Sequence, residues 1–149
     1  MTDYLEFTID KFTFRTATDR FYNDEGVWAK PEYNKIRIGI SDYLQQRSGD
    51  VAFAEVRSLG TLVAVGEELA VIETIKVNIS LPSPVAGKVI EVNPAMETAP
   101  EAINQDPYGA GWLAVIEVTG GETNLKHLLD GQTYFSKIKL EAEQEVKKE

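Results

Sequence analysis

Leu69-Ala70-Val71-Ile72-Glu73-Thr74-Ile75-Lys76-Val77-Asn78-Ile79-Ser80-Leu81 sets a lysine between two runs that both read as strand. The β-branched residues Thr74, Ile75, Val77 and Ile79 are stiff at χ1 and suit a pleated sheet. The flanks match in kind: Val65-Gly66-Glu67-Glu68 leads in and Ser83-Pro84-Val85-Ala86-Gly87 leads out. The stretch therefore predicts a hairpin with Lys76 at its tip. Gly66 and Gly87 fall where a turn needs positive φ or close backbone approach. Pro84 fixes the return path. An amine held out on a rigid sheet is what an enzyme needs in order to attach a prosthetic group. Such a lysine is a substrate of a modifying enzyme and not a catalyst, so a carrier protein is the first reading. The competing reading is a solvated strand-end lysine, the usual fate of that residue.

Outward from the hairpin, short strands recur from Val51 to Val92, punctuated by Gly60, Gly66 and Gly87 and without helical patterns between them. That rhythm argues for a small all-β sandwich or barrel. Upstream, residues 4–15 alternate apolar and polar side chains (Leu5, Phe7, Ile9, then Phe12, Phe14) and read as strand. Tyr22-Asn23-Asp24-Glu25-Gly26 reads as a turn before a short strand, Val27-Trp28-Ala29, that Pro31 is expected to end. Ile36-Arg37-Ile38-Gly39-Ile40 is a further strand. Ser41 or Asp42 then caps a short helix through Arg47 that stops near Gly49.

Downstream, Pro94, Pro100 and Pro107 mark residues 94–111 as an excursion outside the sheet, with room for one helical turn. Trp112 to Val118 returns as a buried strand ended by Gly120-Gly121. Asn124 to Leu129 predicts a short helix closed by Asp130-Gly131, and Tyr134 to Lys148 a longer one with frayed last residues. The expected organisation is one domain: a strand extension over 1–20, a carrier domain over 21–130 and a C-terminal helix over 131–149.

The chain has 149 residues, enough for one domain with a hydrophobic core. Its net charge of −9 disfavours nucleic acid and anionic membranes and suits docking to basic faces of proteins. With no cysteine, disulfides, thiolate nucleophiles and thiolate–metal sites are excluded, so any dithiol chemistry must come from a cofactor. No apolar run reaches membrane-spanning length. Asp3, Glu6 and Asp10 argue against a signal or transit peptide, and a cytoplasmic location is expected.

Glu73-Thr74-Ile75-Lys76, Ser83-Pro84-Val85-Ala86-Gly87 and Val89-Ile90-Glu91-Val92-Asn93 resemble the attachment region of the biotinyl/lipoyl carriers. Asn104-Gln105-Asp106-Pro107-Tyr108-Gly109-Ala110-Gly111-Trp112-Leu113 is similar to the Asn-x-Asp-Pro-Tyr-Gly-x-Gly-Trp segment of the glycine cleavage system H-protein family. Gly39-Ile40-Ser41-Asp42-Tyr43 and Gly49-Asp50-Val51 are similar to two further blocks of that family, in the same order. The resemblance covers roughly residues 21–130. It implies a mainly β barrel-sandwich hybrid with a short helix near 42–48 and C-terminal helices. It also implies a monomeric, non-catalytic carrier with lipoate amide-linked to Lys76.

The resemblance further implies the partners. The arm would take an aminomethyl group from a pyridoxal-phosphate glycine decarboxylase and present it to an aminomethyltransferase. A dihydrolipoyl dehydrogenase would then reoxidise it, and a lipoate ligase, or an octanoyltransferase with lipoyl synthase, would install it. Glu73, three residues before Lys76, is a candidate for recognition by the ligase. Asp106 and Tyr108 are candidates for the surface on which a loaded arm rests, against the alternative of a purely structural loop.

The chain departs from the family where it matters for cargo. Asp24-Glu25-Gly26-Val27-Trp28 lacks the family's His-Glu-Trp. Val77-Asn78-Ile79-Ser80 replaces Ala-Val-Ser-Asp after the lysine, and Pro82 replaces an aromatic. These changes keep open an H-like lipoate carrier for sulfur oxidation with a heterodisulfide-reductase-like complex. A biotin carrier is disfavoured by Ile75 and Val77, where methionines are usual. His127, the sole histidine, has no nucleophile or second histidine beside it and reads as a surface residue. Glu97, Glu101 and Asp106 lack metal-ligand spacing.

Overall fold

A computed structural model describes residues 2–118 and 125–147. The N-terminal run is not one strand but a hairpin, β1 (Tyr4–Ile9) and β2 (Phe12–Ala17). Asp10, at φ 56, turns the chain. The step from Ile9 to Phe12 breaks the period of two, and that slip of phase marks the turn.

Most of the remaining strands form one antiparallel sheet of seven. It contains β3 (Phe21–Tyr22), β4 (Val27–Glu32), β5 (Lys35–Ile40), β7 (Leu62–Val63), β10 (Gly87–Val92), β11 (Ala114–Val118) and β12 (Leu129–Asp130). Their spatial order is β12-β3-β4-β5-β11-β10-β7. A second sheet joins β6 (Val51–Val56), β8 (Glu68–Thr74) and β9 (Asn78–Pro82) in the order β6-β8-β9. The described strands therefore form open antiparallel sheets and do not close into a barrel. Residues from both sheets, Ile38, Ile40, Val89 and Ile116 with Ala70, Ile72 and Leu81, make one apolar core. Gly66, at φ +85, supplies the expected turn, whereas Gly87 is there for close approach: a Cβ would stand 2.2 Å from the Glu117 carbonyl.

Along β4 the side chains alternate: Val27 and Ala29 enter this core, and Trp28 enters a second, aromatic cluster. That cluster joins Phe7 and Phe14 of the hairpin, Tyr22 and Tyr43 to Tyr134 and Ile138 of α4 (Gly131–Lys147). The Tyr22 and Tyr134 rings stack at 4.2 Å. Pro31 does not end β4, which continues to Glu32 in register with Lys35. Because β3 reaches only Trp28 and Ala29, Pro31 lies beyond the paired part of that edge, where its missing N–H costs no ladder bond.

The helix after Ser41 forms as expected: α1 (Asp42–Ser48), with Ser41 Oγ accepting from the Leu44 amide and Gly49 as C-cap. The excursion holds two short helices, α2 (Ala95–Thr98) and α3 (Ala102–Gln105), where one turn was expected. The strand β11 starts at Ala114 and not at Trp112, and its predicted Gly120-Gly121 end lies outside the described residues. The helix expected over Asn124–Leu129 is not formed over its described part. Leu125 and Leu128 pack on the core, and Leu129–Asp130 pairs with Tyr22 and Phe21. Asp130 closes nothing: its carboxylate accepts the Thr133 amide at 2.8 Å and caps α4. Asn124 and the expected frayed end at Lys148 and Glu149 lie outside the described residues.

Candidate functional site

Four residues, Thr74 to Val77, make the tip of the β8–β9 hairpin, just past the Glu73–Asn78 pair. The Thr74 amide donates to the Val77 carbonyl at 2.8 Å. The Thr74 hydroxyl accepts the amides of Lys76 at 3.1 Å and Val77 at 3.0 Å, so it holds the turn from inside. The same hydroxyl lies 2.8 Å from the Ser48 carbonyl, to which it donates. A further bond, from the Ile75 amide to the Asp50 carbonyl, stitches the tip to the segment that follows α1. Lys76 is exposed at the crest, with Ile75 and Val77 beside it at 76% and 47% exposure.

The Lys76 stem runs over Gly49. A Cβ on that glycine would lie 3.4–3.6 Å from the Cγ, Cδ and Cε of the lysine. Gly49 also adopts φ 92 and ψ −173, a backbone region essentially reserved for glycine. Below the stem, Asn104 ties the whole support together. Its amide nitrogen donates to Gln45 Oε1 at 3.0 Å and to the Gly49 carbonyl at 3.1 Å, and its Oδ1 accepts the Val51 amide at 2.9 Å. The first residue of the Asn104–Leu113 segment is thus a brace beneath the lysine, 28 positions along the chain.

Of the other candidates, Glu73 is exposed at the end of β8, opposite both Asn78 and Phe53. Asp106 folds its carboxylate back on its own loop, accepting the Ala110 amide at 2.9 Å. Tyr108 donates to the Arg15 carbonyl at 2.8 Å and accepts the Asp42 amide at 3.2 Å, which ties the loop to β2 and to the start of α1. Burial pushes its phenol up to about 12. Neither Asp106 nor Tyr108 lines the groove that Lys76 lines. Trp112 is half-buried under the Arg37 guanidinium, and the core tryptophan is Trp28, whose Nε1 reaches the Ile40 and Pro107 carbonyls. His127 is exposed, with Nε2 2.8 Å from the Pro84 carbonyl.

Sequence reading missed Thr74 as a hydrogen-bonding group, and Gly49 and Asn104 as supports. A threonine opening a tight turn is a recognised local signal and was readable. The partners Ser48, Gly49 and Asn104 come from elsewhere in the chain and had no local trace.

The lysine also borders an open groove of about 410 Å³ between the N-terminal hairpin, α1 and the end of α4. Among the described residues there is no cluster of three or more acidic or histidine side chains placed to hold a metal. No helix among them is long and apolar enough to cross a membrane.

A lysine displayed on a turn that is braced from below is the arrangement of a carrier protein. Comparison with known proteins gives the particular kind. The model of the glycine cleavage H-protein family matches residues 20–141. A glycine cleavage system H protein of Thermus thermophilus is 41% identical over 124 residues, 83% of this chain and 96% of that one. A probable glycine cleavage system H protein of Pyrococcus abyssi is 40% identical over 127 residues, 85% of this chain and 94% of that one. The crystal structure of a glycine cleavage system H protein from Mycobacterium marinum superposes with a TM-score of 0.73 at 30% identity, covering 80% of this chain and 96% of that one. The chain belongs to the glycine cleavage H-protein family, whose members are carrier components and not catalysts.

Proposed function

We propose that Lys76 bears a lipoyl group in amide linkage and carries the aminomethyl fragment between the enzymes of a glycine cleavage system. One observation carries this reading: in a member of that family, the lysine of the attachment motif stands exposed on a turn held by the Thr74 hydroxyl. The residues present fit the group. The primary amine is exposed for acylation, and its stem passes over Gly49. When bound, lipoate supplies the disulfide that the cysteine-free chain lacks.

The chain's own contribution is positional. Thr74 and Asn104 fix the turn against α1, so the ligating enzyme meets one arrangement and not an ensemble. Glu73, exposed three residues before the lysine, is proposed as a recognition contact for that enzyme. Tethering then raises the effective concentration of the cargo at each partner site. The proposed partners are a pyridoxal-phosphate decarboxylase, an aminomethyltransferase, a dihydrolipoyl dehydrogenase and the lipoate-installing enzymes. Asp106 and Tyr108 contribute at a distance, by fixing the loop that Asn104 begins.

A second reading keeps the arm and changes the cargo to sulfur species. It is favoured by Val77 and Ser80, which replace a small and an acidic residue beside the lysine. Intact mass and peptide mapping of the protein from its native cell test the first step. A lipoyl increment on Lys76 is expected, and an unmodified lysine in lipoate-replete cells would sink the carrier reading. Incubating the lipoylated protein with glycine and glycine decarboxylase separates the cargoes: transfer of the aminomethyl group supports glycine cleavage, and its failure selects the second reading.

A further inference from the structure

Asp42, the first residue of α1, stands where the N-terminal hairpin meets the support of Lys76. Its Oδ2 accepts the Arg15 amide at 2.9 Å and Gln46 Nε2 at 3.0 Å, and the same Gln46 nitrogen donates to the Thr13 carbonyl at 2.9 Å. Its Oδ1 accepts Gln45 Nε2 at 2.8 Å. Thr13 and Arg15 precede the matched residues 20–141, so a segment outside the family match helps to hold this carboxylate.

From Gln45 the bonds continue to the lysine turn. Gln45 Oε1 accepts from Asn104 Nδ2 at 3.0 Å, and Asn104 grips the segment after α1 through the Gly49 carbonyl and the Val51 amide. The Ser48 and Asp50 carbonyls of that segment accept the Thr74 hydroxyl and the Ile75 amide. A side-chain amide donates at one end and accepts at the other, so each link orients the next. An ionised carboxylate only accepts, which turns Gln45 Nε2 toward Asp42 and leaves Oε1 for Asn104. The Gly49 and Val51 backbone groups demand the same orientation of Asn104 from the far end. Gln45 is buried, so a reversed amide there would set donor against donor away from water.

We infer that Asp42 is a positioning residue for the acylation of Lys76, acting through the orientation of Gln45 and Asn104. This rests on the proposed lipoylation. The hairpin takes part because Oδ2 already serves donors from Arg15 and Gln46, which leaves Oδ1 to Gln45. In Asp42→Asn the remaining oxygen stays with the Arg15 and Gln46 donors, and the new nitrogen faces Gln45 Nε2. Gln45 must then turn over and present its nitrogen to Asn104 Nδ2, while Asn104 cannot follow without losing both backbone bonds. Gln45→Glu alone makes the opposite fault, carboxylate against carboxylate. The two substitutions together reverse one bond and restore the line: the amide at position 42 donates, and the carboxylate at position 45 accepts from it and from Asn104. The net charge is unchanged.

The test takes full-length native protein, Asp42→Asn, Gln45→Glu and the double variant. Amide hydrogen exchange is read on the unmodified proteins, and kcat/KM for lipoylation is read with a lipoate ligase, lipoate and ATP. Each single variant should exchange the Val51 and Ile75 amides about tenfold faster, as one mismatched buried pair implies, and lose a similar factor in kcat/KM. The Val89 amide, bonded to the Thr61 carbonyl away from this line, should keep its rate. The double variant should recover both readouts to within about twofold of native. Unchanged exchange at Ile75 in the single variants, an equal rise at Val89, or a double variant as impaired as the singles overturns the inference. Should a single variant fail to fold, the double variant decides alone: native exchange and lipoylation support the inference, and their loss overturns it. A native Lys76 that the ligase leaves unmodified removes the reading beneath, whereas a lipoylated native protein with unmoved exchange in the variants removes the inference alone.

Discussion

Thr74 contributes more than strand propensity. Its hydroxyl accepts two amides of the turn and donates to Ser48, so Thr74→Val keeps the shape and removes all three bonds. Water reaches this exposed turn and replaces part of the loss, so the cost in unfolding free energy should be about 1 kcal/mol. The larger effect should fall on the initial rate of Lys76 lipoylation, with Thr74→Ser restoring it. Equal rates for the valine and serine variants would show that the turn needs no brace. Gly49 is a sharper case, because its φ of 92 is strained for any other residue. Gly49→Ala should cost about 2 kcal/mol by urea denaturation. The exposed tip position of Lys76 was legible from the flanking runs, and the family from the motifs. The brace was not, because Ser48 stands 26 residues from Thr74 and Asn104 stands 55 from Gly49. A one-dimensional pattern names the residue that must be displayed, and only the folded chain names what holds it up.

At the level of elements, local signals did best where the chain is in contact with itself nearby. The Ser41 cap, the α1 helix and the β8–β9 hairpin all follow from neighbouring residues, and they form as read. Misreadings occurred where tertiary pairing decided. Leu125 to Leu129 has helical spacing, but β3 offers an edge, and Leu129–Asp130 takes it. Asp130 then changes role from terminator to cap. The Thr133 amide, bonded to its carboxylate, holds that carboxyl below its ordinary value of 3.8. A depressed carboxyl stabilises the fold above its unfolded value, and the contribution is lost as pH falls through the folded value. Asp130→Asn keeps an acceptor but removes the charge, so the native protein should exceed the variant in stability at neutral pH. The gap should close as the pH drops below about 4. A gap that persists at pH 2 in urea titrations would assign the difference to geometry and not to charge.

On the scale of the molecule, the net charge of −9 meets the position of Lys76. Glu73 and Asp50 are both exposed, at the end of β8 and in the loop before β6, so the surface around the tip carries acidic groups. A carrier must visit several enzymes and leave each, which favours fast, weak encounters over large apolar interfaces. Complementary charge provides this by steering, and steering weakens as salt shortens the screening length from about 10 Å at 0.1 M to about 3 Å at 1 M. The second-order rate of aminomethyl transfer from the decarboxylase should therefore fall about tenfold or more over that range. The Glu73→Gln/Asp50→Asn variant should lower the low-salt rate and flatten the salt dependence, while leaving the rate at 1 M nearly unchanged. Stopped-flow transfer rates across the salt series decide the matter. A rate indifferent to salt in the unmutated protein would mean that docking relies on the exposed Ile75, Val77 and Phe53 and that the acidic surface serves only solubility.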